Sequence, residues 1–225
     1  MHEKKRIEPK TAITKAIPTA ILMIFLSSAF AETTGATVVY KEGVLSVDGK
    51  PVEIGAKVPD GALLSTDVNG LAEIVFADKN AFRVGPATTF RVRLEKKRRS
   101  LEIERGTITA VLRKLDKATG GSMNVRTPSL VAGVRGTSFC VWVSGSKQET
   151  FFCTCNGRIE FLPGGTQRKI LKEARHHEAL TFSGAGKYVT VTVPDPQGNL
   201  WHDDSNLESL AARIGETMDW TRIED

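Results

Sequence analysis

The chain has 225 residues, 40% hydrophobic and 25% charged, with 31 Lys and Arg against 26 Asp and Glu and a formal net charge of +5. Residues 1–31 hold five basic and two acidic side chains, so without them the net charge falls to +2. The basic balance is therefore weak ground for nucleic-acid binding, and the chain beyond residue 31 is long enough for one domain with its own core plus a tail.

Lys4, Lys5, Arg6, Lys10 and Lys15 precede an almost uncharged apolar stretch, residues 16–30, and Ala29-Phe30-Ala31 fits a small-x-small cleavage site. This is the layout of a secretory signal peptide over residues 1–31. It implies a periplasmic or secreted product that meets the membrane only through the transient leader. A membrane anchor would need about 20 apolar residues, and Pro18 interrupts this run.

Short alternating segments follow at residues 37–40, 43–47, 72–76, 81–84, 90–94, 100–104, 108–112, 123–126, 139–143, 151–155 and 159–161, separated by Gly, Pro, Asp and Asn. Such spacing predicts an all-β fold of the β-sandwich or jelly-roll kind, with a β-solenoid or double-stranded β-helix as the alternative. The basic run Lys96-Lys97-Arg98-Arg99 falls between two alternating segments, which makes it the exposed tip of a hairpin. No aromatic residues interleave with it, as a single-strand binder would want.

After residue 161 the texture changes. Residues 162–202 read as a β extension or linker: Pro163-Gly164-Gly165 makes a turn, residues 168–174 form a charged edge, and residues 180–182 and 188–193 suit another hairpin, closed by Pro194-Asp195-Pro196. Asp203-Asp204-Ser205 then offers N-cap residues. Leu207, Leu210, Ala211, Ile214 and Met218 recur at helical spacing, predicting an amphipathic C-terminal helix over residues 203–220.

The most specific stretch is Val125-Arg126-Thr127-Pro128-Ser129-Leu130-Val131-Ala132-Gly133-Val134-Arg135-Gly136-Thr137-Ser138-Phe139. Pro128 fixes a turn or strand entry, and Gly133 and Gly136 allow a sharp bend around Val134 and Arg135. The stretch resembles the signature of the FecR family, carried here by Thr127, Pro128, Gly133, Arg135, Gly136 and Thr137. Gly61-Ala62-Leu63-Leu64-Ser65-Thr66, Gly70-Leu71-Ala72-Glu73-Ile74, Arg83-Val84-Gly85-Pro86 and Arg105-Gly106-Thr107 extend the resemblance over residues 37–161. It implies an extracytoplasmic all-β domain that senses or binds a partner protein or envelope ligand. The regulator that names the family also has a cytoplasmic sigma-binding segment and a membrane span, and this chain is expected to lack both.

All three cysteines fall close together, at Cys140, Cys153 and Cys155, and His176, His177 and His202 come after them. Residues two apart on a strand face one side, so Cys153 and Cys155 present two sulfurs together. A hairpin centred between Ser146 and Lys147 sets Cys140 opposite Cys153; a shift of one residue sets it opposite Cys155. Three readings compete. Cys140 forms a disulfide with Cys153 or Cys155 in an oxidising compartment. Alternatively Cys153, Cys155, His176 and His177, with His202 as a further ligand, hold a transition metal (Zn or Cu) or haem. In the third, the histidines are polar surface residues around a structural disulfide. Cys153-Thr154-Cys155-Asn156-Gly157, the His pair and His202-Asp203-Asp204 resemble a subgroup of secreted FecR-domain proteins, which adds weight to the metal reading.

No enzyme is expected. Gly133-Val134-Arg135-Gly136-Thr137 is too short for a P-loop, Glu102 and Glu104 suit an exposed strand face, and two neighbouring cysteines more often bind each other or a metal than serve as a nucleophile. Two functions remain: an extracytoplasmic sensing or interaction module, or a periplasmic metal- or haem-binding protein on a FecR-like scaffold.

Overall fold

The structure, a computed structural model, describes residues 33–77, 79–95, 99–113, 121–184, 186–191 and 203–223. The expected signal peptide, Lys96 to Arg98 of the basic run, the end of the 188–193 segment, Pro194-Asp195-Pro196 and His202 lie outside these residues.

Nearly all the described elements are strands, and they join into two sheets. The first orders β4 (Lys57–Pro59), β1 (Thr33–Glu42), β6 (Leu71–Phe76), β7 (Asn80–Val84), β9 (Ser100–Leu112), β12 (Ser138–Val143), β13 (Thr150–Pro163), β15 (Glu178–Ser183) and β16 (Lys187–Val191). The second orders β3 (Lys50–Pro51), β2 (Leu45–Val47), β5 (Leu63–Thr66), β8 (Thr89–Arg93), β9, β10 (Met123–Arg126), β11 (Leu130–Val134), β13 and β14 (Ile170–Ala174). Among the described residues, pairing is antiparallel except between β9 and β10.

Two strands belong to both sheets. Residues 100–105 of β9 pair in the second sheet and residues 106–112 in the first; β13 passes the other way, changing sheets at Gly157. The sequence divides each of these strands in two, because Arg105-Gly106-Thr107 and Asn156-Gly157 have turn-like composition. Here the glycine bends the strand without ending it. Gly106 has φ +92, and a Cβ there would lie 2.3 Å from Thr88 Oγ1 and 2.4 Å from its Cα, so no side chain fits. The Thr107 N–H instead donates to Thr88 Oγ1 at 2.9 Å.

Alternation along the first sheet's strands builds two cores. Phe82, Ala110, Val141, Phe152 and Leu180 enter a large cluster that also takes Leu64, Phe90, Leu101, Val125 and Phe161 from the second sheet. Their sequence neighbours Ala81, Val111, Cys140, Cys153 and Ala179 point the other way, into a smaller cluster with Leu207, Leu210, Ala211 and Ile214. The cover is helix α1 (Asp204–Ala212) and the chain beyond it.

That helix is shorter than the expected 203–220. Arg213 caps it, its N–H donating to Leu210 and Ala211 carbonyls, and the chain turns left-handed at Gly215. Ile214 and Met218 still pack against the small core from the irregular segment after the helix. A second difference concerns Arg99, which is buried although the basic run reads as an exposed tip. It directly precedes β9, whose first half is paired on both sides by β8 and β10, and burial lowers its guanidinium pKa.

Candidate functional site

The signature residues shape the backbone. Thr127, Pro128 and Ser129 turn β10 into β11, with the Thr127 N–H donating to the Leu130 carbonyl at 3.0 Å. Ser129 Oγ donates to Thr150 Oγ1 at 2.7 Å, which in turn donates to Thr127 Oγ1 at 2.9 Å, tying the turn to the start of β13. Gly136 has φ +58 and makes the bend between β11 and β12. Thr137 Oγ1 there donates to the carbonyls of Arg135 and Arg158 at 3.1 and 3.0 Å. One expectation is corrected: Gly133 sits inside β11 with its nearest prospective Cβ contact at 3.8 Å, so it is ordinary strand and takes no part in the bend. Arg135, beside the bend at Gly136, is exposed.

The cysteines occupy the face of the first sheet beneath α1. Cys140 lies directly opposite Cys153 in the β12–β13 register. Ser138 then pairs with Asn156 and Phe139 with Thr154, so Cys155 is the extra residue of a β-bulge. All three are fully buried thiols, and none is in a disulfide. Thr109 Oγ1 donates to Cys140 Sγ at 3.4 Å. Burial first, and then the neighbouring Cys153 and Cys140 thiols, push the Cys155 pKa well up.

The histidines lie between β14 and β15, where the backbone is irregular. His177 is left-handed, φ +39, an uncommon conformation for a residue with a bulky ring, and its N–H donates to the Cys155 carbonyl at 3.0 Å. Adjacent histidines on an extended strand would diverge; this kink lets both rings reach one carboxylate. His176 Nε2 lies 2.8 Å and His177 Nε2 2.9 Å from Asp204 Oδ1. The other nitrogen of His177, Nδ1, is 3.6 Å from Cys153 Sγ. Burial raises the Asp204 carboxyl, but the hydrogen bonds from the two histidines outweigh it and hold its pKa below the ordinary value. The Trp220 ring packs against both imidazoles, with centroids 5.0 Å from His176 and 5.4 Å from His177.

The ligating atoms of Cys153, Cys155 and His177 thus lie within 4.8 Å of one another, and those of His176, His177 and Asp204 form a second such group. Cys140 is beside the first group through its strand register; His176 reaches only the carboxylate side. Asp204 does not stand among the candidates drawn from sequence, which reads Asp203-Asp204-Ser205 as capping residues. The structure divides the labour: Asp203 caps α1, accepting from the Asn206 N–H at 2.7 Å, and Asp204 turns to the imidazoles.

A buried ionic network holds α1 over this site. Arg83 on β7 donates to Glu73 Oε1 on β6 at 2.6 Å, to Asn206 Oδ1 at 2.7 Å and to Ser209 Oγ at 2.8 Å. Arg213 Nε donates to the other Glu73 oxygen at 2.7 Å. Sequence reasoning places Glu73 and Arg83 only within the family pattern, since nothing local to either strand marks a helix that arrives more than 120 residues later.

Comparison with known proteins bears on the β domain. No curated protein matches the chain. Two crystal structures from Parabacteroides distasonis ATCC 8503, each described as a candidate anti-sigma factor, resemble it in fold. The first, at 2.50 Å, is 16% identical with a TM-score of 0.49 over 58% of this chain; the chain spans 59% of that protein. The second, at 1.65 Å, is 17% identical with a TM-score of 0.50, covering 68% of this chain and 74% of the other. The family described as FecR protein matches residues 62–160, a span that runs from just before β5 to near the end of β13 and contains the hydroxyl-tied turn, the bend at Gly136 and all three cysteines. Over residues 62–160, a little under half of the chain, this protein is thus similar to the FecR family.

Proposed function

We propose that this protein is an extracytoplasmic sensing or interaction module in signal transduction, whose FecR-like domain presents a rigid β platform to a partner protein of the cell envelope. The match to the FecR family over residues 62–160 carries the reading, and the likeness in fold to a candidate anti-sigma factor supports it. The basic, then apolar, N-terminal sequence supports export to the periplasm or medium. Two sheets that share β9 and β13, with almost wholly antiparallel pairing, support a sandwich over a solenoid winding.

A catalytic role is not part of this reading. Cys153, His177 and Asp204 line up as thiol, imidazole and carboxylate, but the sulfur is fully buried beneath α1, away from any substrate. The same burial disfavours haem, whose macrocycle needs an open slot; the approach of the ligand atoms to within 4.8 Å suits a single ion.

The test pairs fractionation with site-directed crosslinking in the native host. Mature protein is expected to begin at Glu32 outside the cytoplasm. A photo-crosslinker at exposed Val68, Leu171 or Tyr188 is expected to give one discrete protein adduct. Intact Met1 in the membrane fraction would refute export, and no adduct from any position would refute the partner.

A further inference from the structure

The small core carries an arrangement that an apolar helix-docking surface does not require. Small apolar residues such as Ala81, Val111 and Ala179 would suffice to seat α1, yet three thiols and an imidazole converge there. We propose that Cys153 Sγ, Cys155 Sγ and His177 Nδ1 form a binding site for one thiophilic transition-metal ion, Zn2+ or Cu+, with Asp204 as a positioning residue and α1 as its cover.

Geometry carries this. In a tetrahedral site with metal–sulfur near ~2.3 Å and metal–nitrogen near ~2.0 Å, a sulfur and a nitrogen ligand stand about 3.5 Å apart. Cys153 Sγ and His177 Nδ1 are 3.6 Å apart, and Cys155 Sγ lies within 4.8 Å of both, so small side-chain rotations bring three donors onto one centre. A thiol–imidazole hydrogen bond has a similar length, but it gives no reason for the second sulfur. The other imidazole nitrogen supplies a further observation: Nε2 sits 2.9 Å from Asp204 Oδ1. A carboxylate behind a ligating histidine fixes its tautomer, leaving Nδ1 unprotonated and facing the sulfurs, and raises its basicity. The left-handed backbone at His177 and its N–H bond to the Cys155 carbonyl lock the ring to the strand that bears both thiols.

The ligand chemistry selects the ion. Two thiolates with one imidazole favour Zn2+ or Cu+ over harder cations. Binding converts the Cys153 and Cys155 thiols to thiolates and releases two protons; Zn2+ offsets both of the resulting charges and Cu+ one of them. Cys140, paired with Cys153 across the strands, is the nearest additional sulfur for the remaining coordination position. The site stands apart from the partner-binding reading: a chain that crosslinks to a partner yet binds no metal would overturn this inference alone.

The experiment uses the full exported chain, reduced and freed of metal. Titration with Co2+ is expected to give a thiolate-to-cobalt charge-transfer band that saturates at one equivalent and disappears when Zn2+ is added. A Cu+ arm in competition with a chromogenic chelator distinguishes the two ions. His177→Asn, whose side chain tolerates left-handed backbone, is expected to abolish the band while the melting curve of the metal-free protein stays cooperative. Cys155→Ala, a small apolar replacement, is expected to do the same. Asp204→Asn is expected to weaken binding about 10–100-fold and to lose the slowing of amide exchange in α1 that Zn2+ confers on the parent. No stoichiometric binding of either ion, equal binding in folded His177→Asn and Cys155→Ala, or a Cys140–Cys153 disulfide in protein isolated from its native compartment would each overturn the proposal.

Discussion

On β13, Phe152 enters the large core and Cys153 the small one; on β7 the same division falls between Phe82 and Ala81. The two cores share strands yet differ in kind. The large core is a stack of aromatic and branched side chains, with Phe152 against Phe139 and Phe161 at ring centroids of 5.2 and 5.0 Å. Its specification is shape. The small core is floored by alanines and thiols, and its helix is held by a buried Glu73–Arg83 pair and by Asp204 on two histidines. Its specification is polar partnership, which costs more to break at any one point. A β domain thereby gains a cover whose seating depends on a few named groups.

The contrast between the cores breaks most severely where the sheets meet. Gly106→Val places a branched side chain at φ +92 and against Thr88, and is expected to cost more than about 4 kcal/mol and to abolish the cooperative transition, read by urea unfolding. Glu73→Ala comes next. It leaves the Arg83 and Arg213 guanidinium groups without their shared carboxylate and is expected to cost about 3–5 kcal/mol, with amide exchange in α1 rising before that in β10 or β11. If both regions loosen together, the two cores are one energetic unit. Asp203→Ala removes the cap and the bond that Asp203 accepts from the Asn206 side-chain amide, and is expected to cost about 1 kcal/mol in the same assay. Arg135→Ala, although within the family signature, is expected to shift stability by less than about 0.5 kcal/mol because its side chain is exposed. A larger loss would give Arg135 a structural role after all.

Sequence reasoning reaches the large core well and the small one poorly, for a physical reason. Period-two alternation locates β6, β7, β8, β10 and β12 to within a residue or two, since each of those strands needs only local pattern. It splits β9 and β13, where turn-like residues sit inside continuous strands. The helix position is legible from Leu207, Leu210 and Ala211, but its length is not, because Ile214 and Met218 keep the apolar spacing after the helical hydrogen bonds end. Cys140 and Cys153 are found opposite each other, one of the two registers the sequence allows. Asp204, Glu73 and Arg83 escape because their roles exist only once a segment distant in sequence has docked.

β9 and β13 each lend one half to one sheet and the other half to the other. Neither sheet can shed its central strands without stripping hydrogen-bond partners from its neighbour, so the pair behaves like two boards fastened by common bolts. Load applied at any edge strand, whether by a tugging partner or by a translocating protease, peels β4, β16, β3 or β14 first and then meets a barrier set by both sheets at once. The domain is built to resist force as a whole and to yield only at its rim.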